Sequence, residues 1–202
     1  MKASLPPIAF FALLLSGCGS PAPNSAQYVD PNGPRTIVSL NQIDIQDFNT
    51  AANAMVQSML TSQQFNNALA QLPSLPAVMA VSKITNDTTQ QFDTDLLTQN
   101  ILVALNQSGK IVTTTTFGPN PQDKMAQQAG NMQAFLNGQQ APTRIPDFTL
   151  TGKILVSTAK AGDVYQRSYI FQMALTSVST GNAVWLDQKT ITKQGQKPAV
   201  GW

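Results

Sequence analysis

The fold is decided by the stretches Phe148-Thr-Leu-Thr-Gly-Lys-Ile-Leu-Val156 and Tyr169-Ile-Phe-Gln-Met-Ala-Leu175. In both, large apolar residues recur at every second position, which is the period of a strand with one buried face. Gly152 interrupts the first alternation and predicts a bulge. Ala161-Gly162-Asp163 turns the chain between the two stretches, and residues 184–192 return as a third strand. Three sequential strands joined by short turns form an antiparallel meander.

An α–β unit precedes this meander. Asp44 and Asp47 have the spacing of a capping box, and the apolar residues after them predict a helix over about residues 45–65. Residues 75–84 form an apolar run bounded by prolines, which favours a buried strand. Thr85-Asn-Asp-Thr88 is typical of a turn at the end of that strand.

A second helix and strand follow. Asp93 or Thr94 is expected to cap the helix, and Gly109 is expected to end it at the position that favours a left-handed backbone. The sequence of residues 110–116 then predicts a strand. A third, weaker helix ends at Gly138 and must depend on packing, because it contains an internal glycine.

These patterns together predict an α+β fold. We expect an antiparallel or mixed sheet of four to five strands, with about three helices packed mainly on one face and a three-stranded meander at the C-terminal end. Trp185 is expected to be a core or half-buried aromatic residue. Helical spacing predicts core packing, rather than an adaptable binding surface, for four methionines: Met55, Met59, Met125 and Met132.

The N-terminus has the pattern of a bacterial lipoprotein signal. Lys2 precedes a short apolar run that ends in Leu15-Ser-Gly-Cys18, and Cys18 is the only cysteine of the chain. A basic start, an apolar segment too short to span a bilayer and small residues before the cleavage point define such a signal. We therefore expect lipidation of Cys18. Gly19, where an Asp would favour retention in the inner membrane, predicts anchoring to the outer membrane on its periplasmic side.

The expected domain organisation follows from the same signal. Residues 1–17 are the signal peptide, and residues 18–36 are a lipidated N-terminus and flexible linker with four prolines after Gly19. Residues 37–193 form a single periplasmic globular domain, and residues 194–202 form a flexible C-terminal tail. A segment as poor in apolar residues as the linker cannot offset its ordering entropy.

Composition excludes several classes of function. The chain has a formal net charge of +2 without basic clusters, so nucleic acid is not an expected partner. It contains no His, all ten acidic residues are Asp, and the cysteine is assigned to the lipid anchor. His- or Cys-based catalysis and zinc sites therefore lack their usual groups. We expect no catalytic residue, no metal site, no cofactor and no small-molecule substrate.

One candidate partner-binding surface can be assigned. Lys160, Asp163, Tyr165 and Arg167 surround the first turn of the meander. Turns are exposed, and Tyr together with Arg is typical of interface anchors. Trp202, at the end of the expected tail, is a separate candidate that could contact the domain or a partner.

The order of several motifs resembles the LpoB-type activator lipoproteins of Gram-negative bacteria. The stretches that carry the resemblance are Asp47-Phe48 with Met55, Val81-Ser-Lys-Ile-Thr-Asn86-x-Thr88, Leu102-x-x-Ala-Leu105-x-x-x-Gly109-Lys110 and Thr180-Gly181-x-x-x-Trp185. The resemblance implies a fold like the N-terminal domain of TolB. It also implies an outer-membrane lipoprotein that binds a bifunctional, class A penicillin-binding protein and activates peptidoglycan synthesis.

The linker departs from that family pattern. Activators of this type are expected to carry a long proline-rich linker that crosses the peptidoglycan, whereas here it covers only residues 18–36. A domain whose tether cannot span the gap has an effective concentration near zero at its target. A second function therefore stays open, that of an accessory lipoprotein for assembly of a surface structure or for secretion across the cell envelope.

Overall fold

The structure, a computed structural model, describes residues 28–31, 33–34, 36–117, 121–139 and 145–196. The expected signal peptide, Cys18 and Trp202 lie outside these residues. The elements are α1 (Ile45–Thr61), α2 (Gln63–Ala70), β1 (Ala77–Val81), β2 (Thr85–Asn86), α3 (Asp95–Gln107), β3 (Ile111–Thr114), α4 (Lys124–Leu136), β4 (Phe148–Ala161), β5 (Val164–Ser177) and β6 (Ala183–Gln196). The α+β class is confirmed.

The strands form one mixed sheet in the order β3-β1-β4-β5-β6, with β2 paired to β4 beside this path. β1 pairs in parallel with both β3 and β4, and the crossovers that parallel pairs need contain α3 and α4. β4, β5 and β6 pair antiparallel through short turns. The predicted C-terminal meander is therefore confirmed.

The core lies between α1 to α3 and one face of the sheet. Strand alternation directs Leu150, Ile154, Phe171 and Leu175 to this face, and each is at most 1% exposed. Phe48 of α1 meets Phe171 edge-on, with ring centroids 6.3 Å apart. As predicted, an aromatic residue of β6 joins this core: Trp185 is buried and donates from Nε1 to Ser58 Oγ over 3.3 Å.

The helix predicted over about residues 45–65 is divided into two helices, α1 and α2, in the structure. The Asp44–Asp47 capping box is confirmed at the start of α1, where the Asp44 N–H donates to Asp47 Oδ2 over 2.7 Å. The chain leaves the helical conformation at Ser62, whose ψ is 130°, and the Ser62 hydroxyl accepts from the Phe65 N–H. Because Ser62 caps a second helix, the residues that the structure describes form four helices instead of about three.

Gly152 does not form the predicted bulge. The β4–β5 register is regular through Gly152, which pairs with Met173, and the irregularity lies in the β5–β6 pair between Leu175 and Thr176. A Cβ at position 152 would lie 3.2 Å from the Gln172 carbonyl oxygen and from Ile84 Cδ1. The glycine is needed because these neighbours approach closely.

The prediction for the methionines is right on α1 and wrong on α4. Met55 and Met59 are each 1% exposed, whereas Met125 is 81% and Met132 59% exposed. The buried residue of α4 is Ala134. Helical spacing places apolar side chains on one face of a helix, but it does not determine which way that face points.

β6 continues to Gln196, which pairs with Val164 at the start of β5. The first three residues of the segment expected to be a tail are therefore part of the sheet. They are ordered because β5 supplies hydrogen-bonding partners over its whole length.

Candidate partner-binding surface

The β4–β5 hairpin carries the four residues expected to bind a partner. Ala161 pairs with Val164, so Gly162 and Asp163 alone form the turn. Gly162 has a φ of 57°, which a two-residue hairpin turn of this kind requires and glycine adopts without strain. Asp163 is exposed at the tip.

Three of the four residues lie side by side on one face of the hairpin. Lys160 is the cross-strand partner of Tyr165, and Arg167 lies two residues further along β5 on the same face. The Lys160 ammonium lies 5.0 Å from the centroid of the Tyr165 ring. This cation–π contact arranges a cation over an aromatic ring before any partner binds.

Residues 37–44, which precede α1, border this face of the hairpin. Arg167 Nη1 donates to the Asn41 carbonyl over 3.4 Å, and Gln90 Nε2 donates to the same oxygen. Leu40 lies against Gly195, where a Cβ would be 3.2 Å from Leu40 Cδ2. Gly195 is itself the β6 partner of Tyr165. The surface is therefore built from the hairpin and from the segment before α1.

A buried ion cluster anchors that segment to the sheet. Lys193 Nζ lies 2.7 Å from Asp44 Oδ2 and 2.5 Å from Asp47 Oδ2, and its side chain is 6% exposed. The same ammonium donates to the carbonyls of Ser39 and Gln42 over 3.1 and 2.8 Å. Every proton of the ammonium thus has an acceptor, as burial of a charge requires.

The cluster changes the acidity of Asp44. Burial of this carboxylate raises its pKa, but the hydrogen bond from Lys193 and those from Ser39 outweigh burial and hold the pKa below its ordinary value of 3.8. Asp44 therefore stays ionised at neutral pH. It is both the N-cap of α1 and a partner of β6.

Sequence reasoning missed this cluster. It identified Asp44 and Asp47 as helix-capping residues, but nothing local links them to Lys193, about 150 residues away. It also missed that Phe135 and Leu136 of α4 are exposed together with Met125 and Met132. The one available signal was the amphipathic period of α4 itself.

The other face of the sheet holds an open groove of about 690 Å³, which both apolar and polar residues line. Leu186 lies beside Ala174 and Thr151, and the next row of cross-strand partners contains three polar side chains. These are Lys153, Gln172 and Gln188. Gln172 Nε2 donates to Gln188 Oε1 over 3.1 Å, so the row is already hydrogen-bonded within the protein.

The described residues contain no group of three or more His, Cys, Asp or Glu side chains that could hold a metal ion. Among the described helices, none is both long and apolar enough to cross a membrane. What the hairpin surface offers chemically is cationic, aromatic and hydrogen-bonding contact.

Comparisons with known proteins give the following similarities. The C-terminal domain of LpoB from Escherichia coli has 18% sequence identity and a TM-score of 0.44, covering 72% of this chain and 98% of that domain. The corresponding domain from Salmonella enterica has 16% identity and the same TM-score and coverage. The NMR structure of E. coli LpoB has 18% identity and a TM-score of 0.42, covering 90% of this chain and 98% of that one. No curated protein matches the sequence significantly.

A family model gives the assignment. The model described as "Peptidoglycan-synthase activator LpoB" matches residues 47–191. The match begins at the buried Asp47 of α1, ends within β6 and covers well over half of the chain. The chain therefore belongs to the LpoB family of peptidoglycan-synthase activators.

Proposed function

We propose that this protein is a non-enzymatic outer-membrane lipoprotein that binds a bifunctional, class A penicillin-binding protein and stimulates its synthesis of peptidoglycan. The observation that carries the proposal is the family match over residues 47–191, which includes β1 to β5 and most of β6. The signal pattern that ends at Cys18 supports the lipid anchor. Three acyl groups on one N-terminal cysteine hold far more strongly than a single chain.

We further propose that the synthase docks on the hairpin face formed by Lys160, Tyr165 and Arg167, with Asp163 at its tip. The supporting geometry is their shared face and the Lys160–Tyr165 contact. Arg167 is held by the Asn41 carbonyl. Side chains that are already positioned lose less entropy on binding, and Tyr and Arg are frequent interface anchors.

The docking test uses residues 19–202 and class A penicillin-binding proteins from the same organism. The wild-type chain should bind one of them and raise its rate of glycan polymerisation. Tyr165→Ala/Arg167→Ala should weaken binding by at least about tenfold with an unchanged melting temperature. The matched control is Gln166→Ala/Ser168→Ala, which alters the opposite face of the same strand and should bind normally.

Two results would contradict this proposal. Normal binding of the Tyr165/Arg167 variant in a titration would exclude the hairpin face as the docking site. Failure of the wild-type chain to bind or stimulate any class A synthase would exclude the activator function in this protein. The accessory role in envelope assembly, which the short linker favours, would then replace it.

The anchor has its own test. Cys18→Ser should yield a protein that is no longer recovered with membranes after fractionation without detergent, because the acylated thiol is lost. Mass spectrometry of the wild-type N-terminal peptide should show the added acyl chains. Unchanged membrane recovery of the variant, together with an unmodified wild-type peptide, would rule out lipidation.

A further inference from the structure

β6 forms one edge of the sheet, and hydrogen bonds further inside the sheet show which of its main-chain groups lack a strand partner. The carbonyls of Leu150 and Ile154 in β4 accept from the N–H groups of Ser82 and Asp87, on the side of β1 and β2. The main-chain groups of successive residues in such a strand point to opposite sides. The odd-numbered residues of β4 therefore face β5, and through the observed registers the odd-numbered residues of β6 face β5 as well.

The even-numbered residues of β6 therefore point their N–H and C=O groups away from the sheet. Those that follow the irregularity opposite Leu175 are all exposed: Leu186, Gln188, Thr190, Thr192, Gln194 and Gln196. We refer to these six residues as the β6 edge. Within the described part of the chain, none of the six makes a main-chain hydrogen bond beyond the sheet. The Gln188 N–H donates instead to the side chain of its neighbour, Asp187 Oδ1, over 2.7 Å.

In the residues that the structure describes, polar groups cover the opposite edge of the sheet but not the β6 edge. At β3, Asn106 Oδ1 accepts from the Thr113 N–H over 3.2 Å, and the Thr115 carbonyl accepts from the Asp123 N–H over 3.0 Å. Proteins usually protect an exposed edge with proline, lysine or a short strand. β6 has 14 residues and no proline, and no residue of the β6 edge is charged. An edge of this kind is a template for pairing with another strand.

We propose that the β6 edge pairs with the β6 edge of a second copy of this chain, antiparallel and with Gln188 opposite Gln188. The charges beside Gln188 fit this occupant. Asp187 and Lys189 lie on the same face of β6, with Asp187 exposed and Lys189 half-buried. In the proposed register each Asp187 lies directly opposite the Lys189 of the other copy, with Cβ atoms about 5 Å apart. The two-fold axis thus creates two pairs of opposite charge.

The charges also exclude the neighbouring registers. With Asp187 opposite Asp187, or with Lys189 opposite Lys189, like charges meet on the two-fold axis. With Thr190 on the axis, Asp187 would lie opposite Lys193, whose ammonium is already held in the buried ion cluster. Because both of the matching charges belong to β6, the pattern selects a second copy of β6 as the partner strand.

Pairing gives the groups beside the axis new partners. In the single chain, Asp187 accepts from Ser58 through Oδ2 and from the Gln188 N–H through Oδ1, and Lys189 has no ion pair with any described residue. In the dimer the Gln188 N–H donates to the Gln188 carbonyl of the second copy. Asp187 Oδ1 is then free to accept from the Lys189 ammonium across the axis. Leu186 exchanges two more hydrogen bonds with the opposite Thr190 on each side.

The dimer interface is separate from the hairpin face. Pairing involves residues 185–191, whereas the β6 residue beside Tyr165 is Gly195. The two β6 strands run in opposite directions, so the hairpin turns lie at opposite ends of the dimer, each roughly 27 Å from the axis along the strand. One dimer then offers two docking faces. The pairing itself depends on neither the lipid anchor nor the synthase.

Disulfide formation tests both the pairing and its register. The chain from residue 18 to residue 202 with Cys18→Ser contains no thiol, because Cys18 is the only cysteine. Gln188→Cys in this chain brings two thiols together on the axis, with Cα atoms about 5.5 Å apart, which a disulfide can span. The matched control is Thr192→Cys on the same edge and face, where the two thiols would lie roughly 27 Å apart.

Under mild oxidation with copper phenanthroline, Gln188→Cys should form the covalent dimer at least about tenfold faster than Thr192→Cys. Adding either Asp187→Lys or Lys189→Asp should slow this reaction at least about fivefold, because like charges then face each other. The double change Asp187→Lys/Lys189→Asp should restore the rate, since it re-creates both pairs of opposite charge. Sedimentation of the thiol-free chain should show a dimer whose share rises with protein concentration, and unchanged melting temperatures should show that the variants are folded.

Several results would overturn the proposal. Equal rates for the two cysteine variants would mean that the dimers arise from random collisions. A double charge change that does not restore the rate would contradict the register, and a thiol-free chain that remains monomeric throughout the concentration series would contradict the pairing. Disulfide formation that needs an added class A synthase would assign the β6 edge to that partner and not to a second copy.

Discussion

At the scale of single residues, Lys193 makes tertiary contacts that no local sequence pattern predicts. Its ammonium joins β6 to both carboxylates of the α1 capping box and to two carbonyls of the preceding segment. That segment borders the face on which Tyr165 and Arg167 lie. The geometry of the candidate docking surface therefore depends on a charge buried beneath it.

Lys193→Met should be strongly destabilising. It leaves the Asp44 and Asp47 carboxylates buried without a cation, and breaking such a cluster reduces the free energy of unfolding by about 3–5 kcal/mol. Urea denaturation measures the change. Lys189→Met, on the same strand and face, is the control and should change stability by less than about 1 kcal/mol. Asp44→Asn/Asp47→Asn/Lys193→Met, which removes the charges together, should recover part of the loss. An undiminished stability of Lys193→Met would show that the cluster does not hold the fold.

Asp44 gives the stability of the domain a definite pH dependence. Its pKa in the folded protein lies below the ordinary value of 3.8, so between the two values the unfolded chain binds more protons than the folded one. The contribution of Asp44 to the free energy of unfolding is therefore fully present above about pH 4. It is lost as the pH falls through the pKa of Asp44 in the folded protein. Urea denaturation between about pH 5 and pH 2.5 should show a smaller slope in Asp44→Asn than in the wild type. Equal slopes would contradict the assignment.

At the scale of elements, replacing one of two glycines with alanine should raise stability and replacing the other should lower it, although the space around both glycines is similar. A Cβ at Gly130, inside α4, or at Gly109, after α3, would meet no atom within 4 Å. Gly130→Ala should therefore stabilise α4 by about 0.5–1 kcal/mol, since alanine is the better helix former. Gly109 has a φ of 69°, so Gly109→Ala should destabilise by about 1 kcal/mol. Hydrogen exchange within α4 and urea denaturation measure the two effects. Changes of the same sign would show that backbone conformation does not decide them.

The β4–β5 hairpin shows how one element can serve both core and surface. Its inner-face residues are buried or half-buried as far as Val156, whereas residues 157–161 are exposed. The pairing with β5 continues through Ala161 nevertheless. The paired far end of the hairpin therefore extends beyond the buried core and carries the side chains proposed to bind the synthase.

At the scale of the whole molecule, the proposed function depends on how far the domain lies from its anchor. Deleting residues 21–34 should abolish function in cells, because the domain then cannot leave the membrane surface, while residues 37–202 should still stimulate the synthase in solution. A flexible insertion between Pro23 and Pro34 should be tolerated. Complementation of cells lacking the protein, together with the polymerisation assay, measures both. Full function of the deletion in cells would place the target next to the outer membrane.

The sequence by itself determined what depends on neighbouring residues. Strand alternation in β4 and β5, the Asp44–Asp47 capping box and the helix end at Gly109 follow from backbone preferences within a few residues. The pattern that predicts lipidation of Cys18 is local in the same sense, and the lipidation itself stays a prediction. The grouping of Lys160, Tyr165 and Arg167 also followed, because a two-residue turn fixes the register of the strands on either side of it.

Only the tertiary structure decided what depends on distant parts of the chain. Packing between elements far apart in sequence decides three features: the ion partners of Lys193, the close neighbours of Gly152 and the exposure of the large apolar side chains of α4. A helical period predicts that one face of a helix is apolar, but it does not predict which part of the protein covers that face. An acidic residue at the start of a helix does not predict which basic residue will pair with it. Those choices are made when the elements pack, because burial and ion pairing are properties of the space between them.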